Sequence, residues 1–214
     1  MMWRAKMKNS KLLMSVGLAL ICTSVLAQDA VVEKYDDGKV KAEGTTKDGV
    51  KVGLWKFYYK DGTLMAEEQY SEEGLLHGKV RRYDFKGRLS TVETWKDGLE
   101  EDTAYEYYPS GKIFRKGNYK EGLQEGEWFT YYENGVVKDK GMYSLGRATG
   151  TWLFYDKSGR LLHEATYING IKEGPARFFD KKGNVESSGN YVNGEMKGEW
   201  TKYKNGKPDM IYEY

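Results

Sequence analysis

The chain is poor in the residues that most catalytic and metal sites require. Its 214 residues include one cysteine, two histidines and three prolines. Cys22 lies in an amino-terminal segment that we expect to be removed, which would leave no disulfide, thiolate nucleophile or cysteine-based metal site. His77 and His163 stand far apart in the sequence, and joint catalysis or metal binding would require two distant segments to meet. We therefore expect no catalytic residue, no metal site and no cofactor, and so no enzyme.

Residues 1–27 have the features of a cleavable secretory signal peptide. Four basic residues and no acidic residue precede a short apolar run from Leu12 to Leu26, and Ala27 supplies a small residue at the cleavage site. The run is too short for a stable transmembrane anchor. An uncleaved anchor and a lipid anchor on Cys22 are the alternatives, although bulky Ile21 argues against the lipid anchor. We expect export to the periplasm, the outer envelope or the exterior of a bacterium.

The charge balance provides no basis for nucleic-acid binding. The whole chain has 34 Lys and Arg residues against 32 Asp and Glu residues. Removing the four basic residues of segment 1–27 leaves 30 against 32, a formal charge of −2. The basic character thus belongs to the signal peptide, and we expect no nucleic-acid partner.

Glycine and aromatic residues are abundant instead, and they recur with a fixed period. One glycine opens each of seven units at intervals of 24 or 25 residues, and Gly206 opens a truncated eighth unit; the seven are Gly38, Gly62, Gly87, Gly111, Gly135, Gly159 and Gly183. A period of this length predicts a repeat architecture in which each unit contacts mainly its neighbours.

Each unit predicts a pair of antiparallel strands. In one unit a β-rich run ends at Asn134-Gly135, a dipeptide typical of a two-residue type I′ turn. Such a turn places Trp128 opposite Gly141 and Tyr132 opposite Val137.

The connection to the preceding strand can be predicted in the same way. A turn centred between Gly122 and Leu123 places Tyr119 opposite Gly126, and Gly117 opposite Trp128. Trp128 then lies between glycines on both adjacent strands, where its indole would cover their bare backbone.

Covariation between the units supports this pairing. Four units carry Gly eleven residues before Trp: Gly44–Trp55, Gly117–Trp128, Gly141–Trp152 and Gly189–Trp200. Where the Gly is replaced, by Glu68, Glu93 or Ala165, the Trp is missing as well. We conclude that the Gly and Trp positions are in contact and have a structural role.

We therefore predict an all-β fold: an elongated antiparallel β-meander of about seven β-hairpin repeats, with roughly 14 strands. No helical periodicity covers either face, so we expect one single-layered, twisted sheet. The array spans residues 28–214 as one domain, because no linker or change of composition divides it.

The repeat resembles a known family. The run YxxGxxxGxWxxYYxxG stands at Tyr119, Gly122, Gly126, Trp128, Tyr131, Tyr132 and Gly135, and it recurs from Tyr143 to Gly159. It is similar to the MORN repeat, specifically its bacterial variant in exported proteins and in the YwqK-like antitoxin family. The resemblance covers residues 35–214 and implies a non-catalytic interaction module. It links such arrays with membranes, dimerisation and scaffolding, and the YwqK-like name implies neutralising a toxin.

The aromatic side chains on the face opposite the Trp residues are candidates for partner binding. The internal Gly–Trp pairing leaves six residues of this predicted stripe unexplained: Phe129, Tyr131, Leu153, Tyr155, Phe178 and Phe179. We expect the partner to be another protein or a second copy of the chain. Neutralisation of a protein toxin and binding of glycan or lipid head groups are the alternatives.

Overall fold

The computed structural model describes residues 28–214, and the predicted signal peptide lies outside the described residues. Each regular element in this range is a β-strand. The strands are β1 Gln28–Lys34, β2 Val40–Lys47, β3 Val50–Tyr58, β4 Leu64–Tyr70, β5 Gly78–Tyr83, β6 Leu89–Lys96, β7 Leu99–Glu100, β8 Asp102–Tyr107, β9 Ile113–Lys120, β10 Leu123–Tyr131, β11 Val137–Ser144, β12 Arg147–Tyr155, β13 Leu161–Ile168, β14 Ile171–Phe179, β15 Val185–Val192, β16 Glu195–Lys204 and β17 Lys207–Glu213.

The strands form one open antiparallel meander, as the repeat predicts. Inside the array each strand pairs with its two neighbours, β1 and β17 form the two ends, and β7 and β8 both pair with β6 as two parts of one interrupted strand. The seven units contribute the predicted strands, and one of these strands is interrupted at Glu101 and so counts as two, β7 and β8. The remaining strands, β1 and β17, lie outside the seven units. None of the described residues belongs to a helix that could cross a membrane.

In six of the seven units the two strands are joined by a tight two-residue turn, whereas β4 and β5 are joined by the longer loop 71–77. Between β9 and β10, Glu121 and Gly122 have φ values of 51° and 78°, and Lys120 pairs with Leu123. This is the type I′ geometry. The turn centres one residue earlier than predicted, so Tyr119 lies opposite Gln124 and its predicted pairing with Gly126 is wrong.

The connection between units is a longer turn. The N–H of Gly135 donates to the carbonyl oxygen of Tyr132, and the N–H of Tyr132 donates to Val136. In the Asn134-Gly135 pair only Gly135 has a positive φ, 88°, so the predicted type I′ turn is wrong here. Tyr131, rather than Tyr132, lies opposite Val137.

Strand irregularities restore the pairing that matters for the core. A register shift between Thr130 and Tyr131 absorbs the longer turn, and Trp128 lies opposite Gly141 as predicted. A second irregularity at Gly126, with φ of 72°, lies between the pairs Glu125–Asn118 and Phe129–Lys116. Gly117 and Gly141 therefore flank Trp128 as predicted, but the indole of Trp128 covers only Gly117, and Gly141 is covered by Trp152.

The face carrying Trp55, Trp128, Trp152 and Trp200, here the Trp face, holds the core. These four side chains are 1–8% exposed. The edges of Tyr119 and Tyr143 pack against the ring of Trp128, with centroids 5.2 and 5.9 Å away. The guanidinium carbon of Arg115 lies 4.3 Å from the centroid of that ring. A single sheet thus buries its large side chains under neighbouring side chains instead of under a second layer.

Candidate interaction surface

The face opposite the Trp face carries one aromatic side chain from every unit. Strand alternation places the third residue after each Trp position on this face. The resulting aromatic row is Tyr58, Tyr83, Tyr107, Tyr131, Tyr155, Phe179 and Tyr203. The sequence prediction found three members of the row and missed four. A comparison of that offset across all seven units would have revealed them.

The structure divides the predicted stripe between the two faces. Phe129 and Tyr131 stack with their centroids 6.3 Å apart on the opposite face, which also carries Leu153, Tyr155 and Phe179. The predicted placement of Phe178 on this face is wrong. Phe178 stands two residues after buried Ala176, so alternation directs it to the Trp face, where its ring lies 6.1 Å from that of Trp200.

In the amino-terminal repeats, polar side chains of the opposite face form hydrogen bonds and ion pairs with one another. The hydroxyl of Tyr58 donates to Glu43 at 2.6 Å. That hydrogen bond, with burial, raises the pKa of Tyr58 to about 12. The hydroxyl of Tyr83 donates to Glu67 at 3.1 Å, and Arg81 forms an ion pair with Glu67 at 3.9 Å.

The carboxy-terminal repeats show the same self-pairing. Arg177 and Glu164 are cross-strand partners and form an ion pair at 2.5 Å. The hydroxyls of Tyr203 and Ser188 lie 3.2 Å apart. Both ends of this face therefore leave few polar groups unpaired.

The middle of the face differs in both charge and polarity. We define the central patch as Tyr105, Phe129, Leu153, Lys116 and Lys140. Lys116 lies between Tyr105 and Phe129 in the sheet, and Lys140 lies between Phe129 and Leu153. These lysines occupy the position that Glu43, Glu67 and Glu164 hold in other units.

The polar groups of the central patch lack partners of opposite charge. Within residues 28–214, neither Lys116 nor Lys140 forms an ion pair. The ammonium of Lys116 lies 5.4 Å from the ring centroid of Phe129 and 5.8 Å from that of Tyr131. The patch thus presents two cations beside partly exposed aromatic rings.

Two shallow grooves border Phe129. One, of about 280 Å³, is lined by Phe129, Val137, Lys140 and Tyr155 among others. The second, of about 350 Å³, lies on the other side of the ring and includes Lys116. The first groove combines an apolar lining with the ammonium of Lys140, an arrangement that suits an extended segment with acidic and apolar side chains. The second groove is more polar, because Asn118 and the carboxylate of Glu127 line it together with Lys116.

The two histidines lie in separate settings. Nδ1 of His77 is 3.2 Å from a carboxylate oxygen of Asp97 in an exposed loop before β5. His163 lies in β13 between the rings of Phe154 and Phe178, at centroid distances of 4.2 and 5.2 Å. Burial, assisted by the charge of Lys172, lowers the pKa of His163. The structure does not bring the two imidazoles together, and each has its own local packing.

The acidic run from Glu100 to Asp102 has a structural role. Asp102 has a φ of 65° where other units have glycine. The carboxylate of Glu101 accepts a hydrogen bond from the N–H of Glu121 at 2.9 Å, and the carbonyl of Glu100 accepts one from Gly122. Among the described residues no group of His, Cys, Asp and Glu side chains is arranged to hold a metal ion.

Taken together, these features define a class of protein: a β-hairpin repeat array with open faces. The MORN repeat variant family matches this chain over residues 51–72, 103–121, 124–144, 148–169 and 172–193. The chain belongs to the MORN repeat proteins, whose repeats generally act as protein- or membrane-interaction modules and are generally non-catalytic. The narrower YwqK-like assignment stays a prediction.

Comparison with other known proteins adds little. No curated protein matches the chain. Among solved structures, the chain is similar to one in "Crystal Structure of TcdB2-TccC3-Cdc42", at 14% identity and a TM-score of 0.24. The match covers 86% of this chain but 12% of that one. With so low a TM-score, it supports no conclusion about function or partners.

Proposed function

We propose that this chain is an exported, non-enzymatic interaction module of a bacterial envelope whose central patch binds an acidic, partly apolar segment of another protein. The observation that carries the proposal is the position of Phe129 between Lys116 and Lys140. At the ends of the same face, cross-strand carboxylates neutralise the basic side chains. In the middle of this face, Lys116 and Lys140 flank Phe129 without forming an ion pair within residues 28–214, and Glu127 is the carboxylate that lines the groove beside Lys116.

The energetics of binding also favour this position. Aromatic side chains supply contact area at a small cost in conformational entropy, and the lysines add electrostatic selectivity for carboxylates. A partner segment lying over Phe129 could place apolar side chains in the flanking grooves and acidic groups beside the ammonium groups. The sheet itself holds the site in place, since Phe129 lies within β10 and pairs with strands on both sides.

A protein partner fits the charge better than an anionic membrane does. The formal charge of residues 28–214 is −2, because the 34 basic residues include four in segment 1–27 and stand against 32 acidic ones. Anionic lipid surfaces attract clusters of several basic residues, whereas the central patch has two. Toxin neutralisation would be the special case in which the bound protein is a toxin.

Site-specific photo-crosslinking tests the proposal. A photoreactive phenylalanine replaces Tyr131 in the full chain, which is produced in its own host and irradiated there. We expect capture of one dominant protein, with the crosslink mapping to an acidic segment. Lys116→Glu with Lys140→Glu should reduce the capture at least about tenfold, because two attractive contacts become repulsive.

The matched control is Lys181→Glu with Lys182→Glu, which changes the net charge equally but lies in an exposed turn. This variant should retain the capture. Capture that persists after reversal of Lys116 and Lys140 would contradict the proposal. Binding of purified chain to phosphatidylglycerol vesicles, with no protein captured, would favour the lipid alternative instead.

A further inference from the structure

The two ends of the described sheet are complementary halves of one repeat. In β1, Val31 pairs with Gly44 as Trp128 pairs with Gly141, so β1 corresponds to the second strand of a unit, and the matching first strand is not among residues 28–214. In β17, Tyr212 pairs with Trp200, which places Tyr212 at the Gly position of a first strand. Within residues 28–214, β1 pairs with β2 alone and β17 with β16 alone.

We propose that copies of this chain join head to tail, with β1 of one copy pairing against β17 of another and completing a repeat at the joint. The occupant of each open edge is thus a second copy of the same chain. The joint uses sheet edges, whereas the proposed partner site lies in the middle of a face, so the two proposals are independent. A heterologous contact of this kind extends into linear assemblies.

The strand directions permit this joint. Successive strands alternate in direction, and β7 and β8 share one direction because both pair antiparallel with β6. The described sheet therefore begins and ends with strands of opposite direction. A second copy added in the same orientation presents its β1 antiparallel to β17, which continues the meander without a break.

The internal register predicts which residues meet across the joint. Inside the sheet, Phe129 pairs with Lys116 and Thr130 with Arg115. The equivalent positions place Val32 opposite Ile211 and Glu33 opposite Met210. Beyond the last pair of this interior ladder, the next residues along the two strands are Lys34 and Asp209, and Asp209 has no partner in β16 because the register shifts there. The joint therefore has an apolar pair followed by a pair of opposite charge.

The side chains at the joint are exposed and complementary in size. Val32 and Ile211 are 54% and 59% exposed, so both apolar side chains are accessible to a second copy of the chain. On the Trp face, interior joints combine Gly with Trp. At the proposed joint, Tyr212 occupies the Gly position and Val31 the Trp position. The larger side chain is therefore on the first strand of the unit here, whereas in the interior Gly–Trp pairs it is on the second strand. Each copy would also satisfy backbone groups that the other leaves open.

Disulfide trapping tests the geometry of the joint. Two single variants, Val32→Cys and Ile211→Cys, are made in the full chain with Cys22→Ser, so that each chain contains one cysteine. Facing residues in an antiparallel pair lie close enough for a disulfide. We expect a linked dimer when the two variants are mixed under mild oxidation, and little when either is oxidised alone. The double variant should give a ladder of multimers.

Leu54→Cys is the matched control, because Leu54 is also apolar and half-exposed but lies inside the array. Its mixture with Ile211→Cys should form little linked product. Linking of Val32→Cys to itself would indicate a head-to-head contact and overturn the proposal. Failure of the mixture to link at all would overturn it as well.

Charge reversal tests the register by sedimentation of the full chain. The unmodified chain should gain mass with concentration in steps of one chain. Lys34→Glu or Asp209→Lys alone should raise the concentration for half-assembly about two- to fivefold, as expected for a rim ion pair. The combined variant should restore assembly. A chain that stays monomeric at all concentrations, or a combined variant no better than either single one, would contradict the proposal.

Discussion

The indole of Trp128 packs over the backbone of the neighbouring strand β9. Its N–H also forms a hydrogen bond with β9 where the backbone ladder is interrupted. A Cβ atom at Gly117 would lie 2.1 Å from the indole ring, so only glycine leaves room for it. The irregularity at Gly126 interrupts the ladder beside Asn118, and the indole N–H donates to the carbonyl of Asn118 at 3.1 Å. The ring therefore supplies both packing and polar satisfaction in a single layer.

Substitutions at this pair should not be additive. Gly117→Ala should cost about 1–3 kcal/mol through overpacking, and Trp128→Ala about 3–5 kcal/mol through lost burial. With alanine at position 128, the clash disappears, and Gly117→Ala should cost little more. The natural Ala165–Ala176 pair shows that the sheet accommodates this combination. Urea unfolding of the single and double variants measures the coupling, and strictly additive costs would contradict this account.

His163 should make stability depend on pH. Packing between Phe154 and Phe178 disfavours the imidazolium and lowers the pKa of His163 below its usual 6.5. The unfolded chain then binds the proton more readily, so this contribution is fully present above about pH 6.5 and decreases as the pH falls through that value. His163→Phe should reduce the loss of stability between about pH 7.5 and 5.5. Urea unfolding midpoints of the unmodified chain and the variant at both pH values measure this loss of stability. An equal loss in the two proteins would mean that groups other than His163 cause the pH dependence.

The tight turns carry side chains in a conformation that few residues adopt readily. Leu145 has a φ of 49°, while the equivalent positions in later units are Asn169 and Asn193. The N–H of Leu145 donates to Glu125 at 2.9 Å, and the N–H of Asn193 donates to Glu173 at 2.7 Å. In both cases, a carboxylate on the strand that follows one tight turn accepts a hydrogen bond from the backbone of the next tight turn and holds it in place.

Leu145→Asn should stabilise the protein. Asparagine tolerates the left-handed conformation better than leucine does, and the backbone hydrogen bond to Glu125 is retained. We expect a gain of about 0.5–1 kcal/mol in the free energy of unfolding. The reciprocal control, Asn169→Leu, should lose a similar amount. Thermal unfolding of both variants gives the answer, and a destabilised Leu145→Asn would show that the leucine side chain has a packing role instead.

The turn chemistry was the least predictable feature of the elements. Asn134-Gly135 has the preferred type I′ sequence, yet the tight geometry occurs at Glu121-Gly122. The longer turn between units is held by the Tyr132 hydroxyl, which donates to the carbonyl of Tyr155 in the next unit at 2.8 Å. A local dipeptide preference does not include such a contact between units, which is why it failed here.

In this array each strand contacts mainly its neighbours, and the pairing is weakest in the amino-terminal half, between β4 and β8. The strands β4 and β5 pair only at Ala66–Arg82 and Glu67–Arg81, and β6 pairs with β8 only at Thr91–Glu106 and Val92–Tyr105. By contrast, β12 and β13 pair along their length. The weakly paired section contains two of the three units that lack the Gly–Trp pair, whereas the third, with Ala165 and Ala176, keeps a nearly complete ladder. Because stability in repeat arrays depends on nearest-neighbour interfaces, opening should begin in the weakly paired section.

Hydrogen exchange should reveal this difference. Backbone amides in β4–β8 should exchange faster than those in β11–β14, because fewer ladder bonds and no buried indole hold the β4–β5 and β6–β8 interfaces. Mass-spectrometric exchange of the full chain, with peptides from both regions read in the same sample, makes the comparison internal. Equal protection across the two regions would show that the sheet opens as one unit.

The candidate surface could be predicted in part. Alternation from the Trp positions was sufficient to place Phe129, Tyr131 and Tyr155 on one face, and the same rule should have excluded Phe178. The unpaired state of Lys116 and Lys140 was not accessible, because it depends on the identity of cross-strand neighbours after every register shift.

The sequence by itself determined the repeat, the all-β meander and the contact between Gly117 and Trp128, since periodicity and covariation report which positions meet. Only the tertiary structure decided the turn types, the bulges and the division of side chains between faces. The physical reason is that a one-residue shift in a strand reverses which face a side chain occupies, and the shifts at Thr130–Tyr131 and at Gly126 are features of the paired strands, not of a local sequence preference. The half-repeats at the two edges likewise become visible only once β1 and β17 are in register with their neighbours.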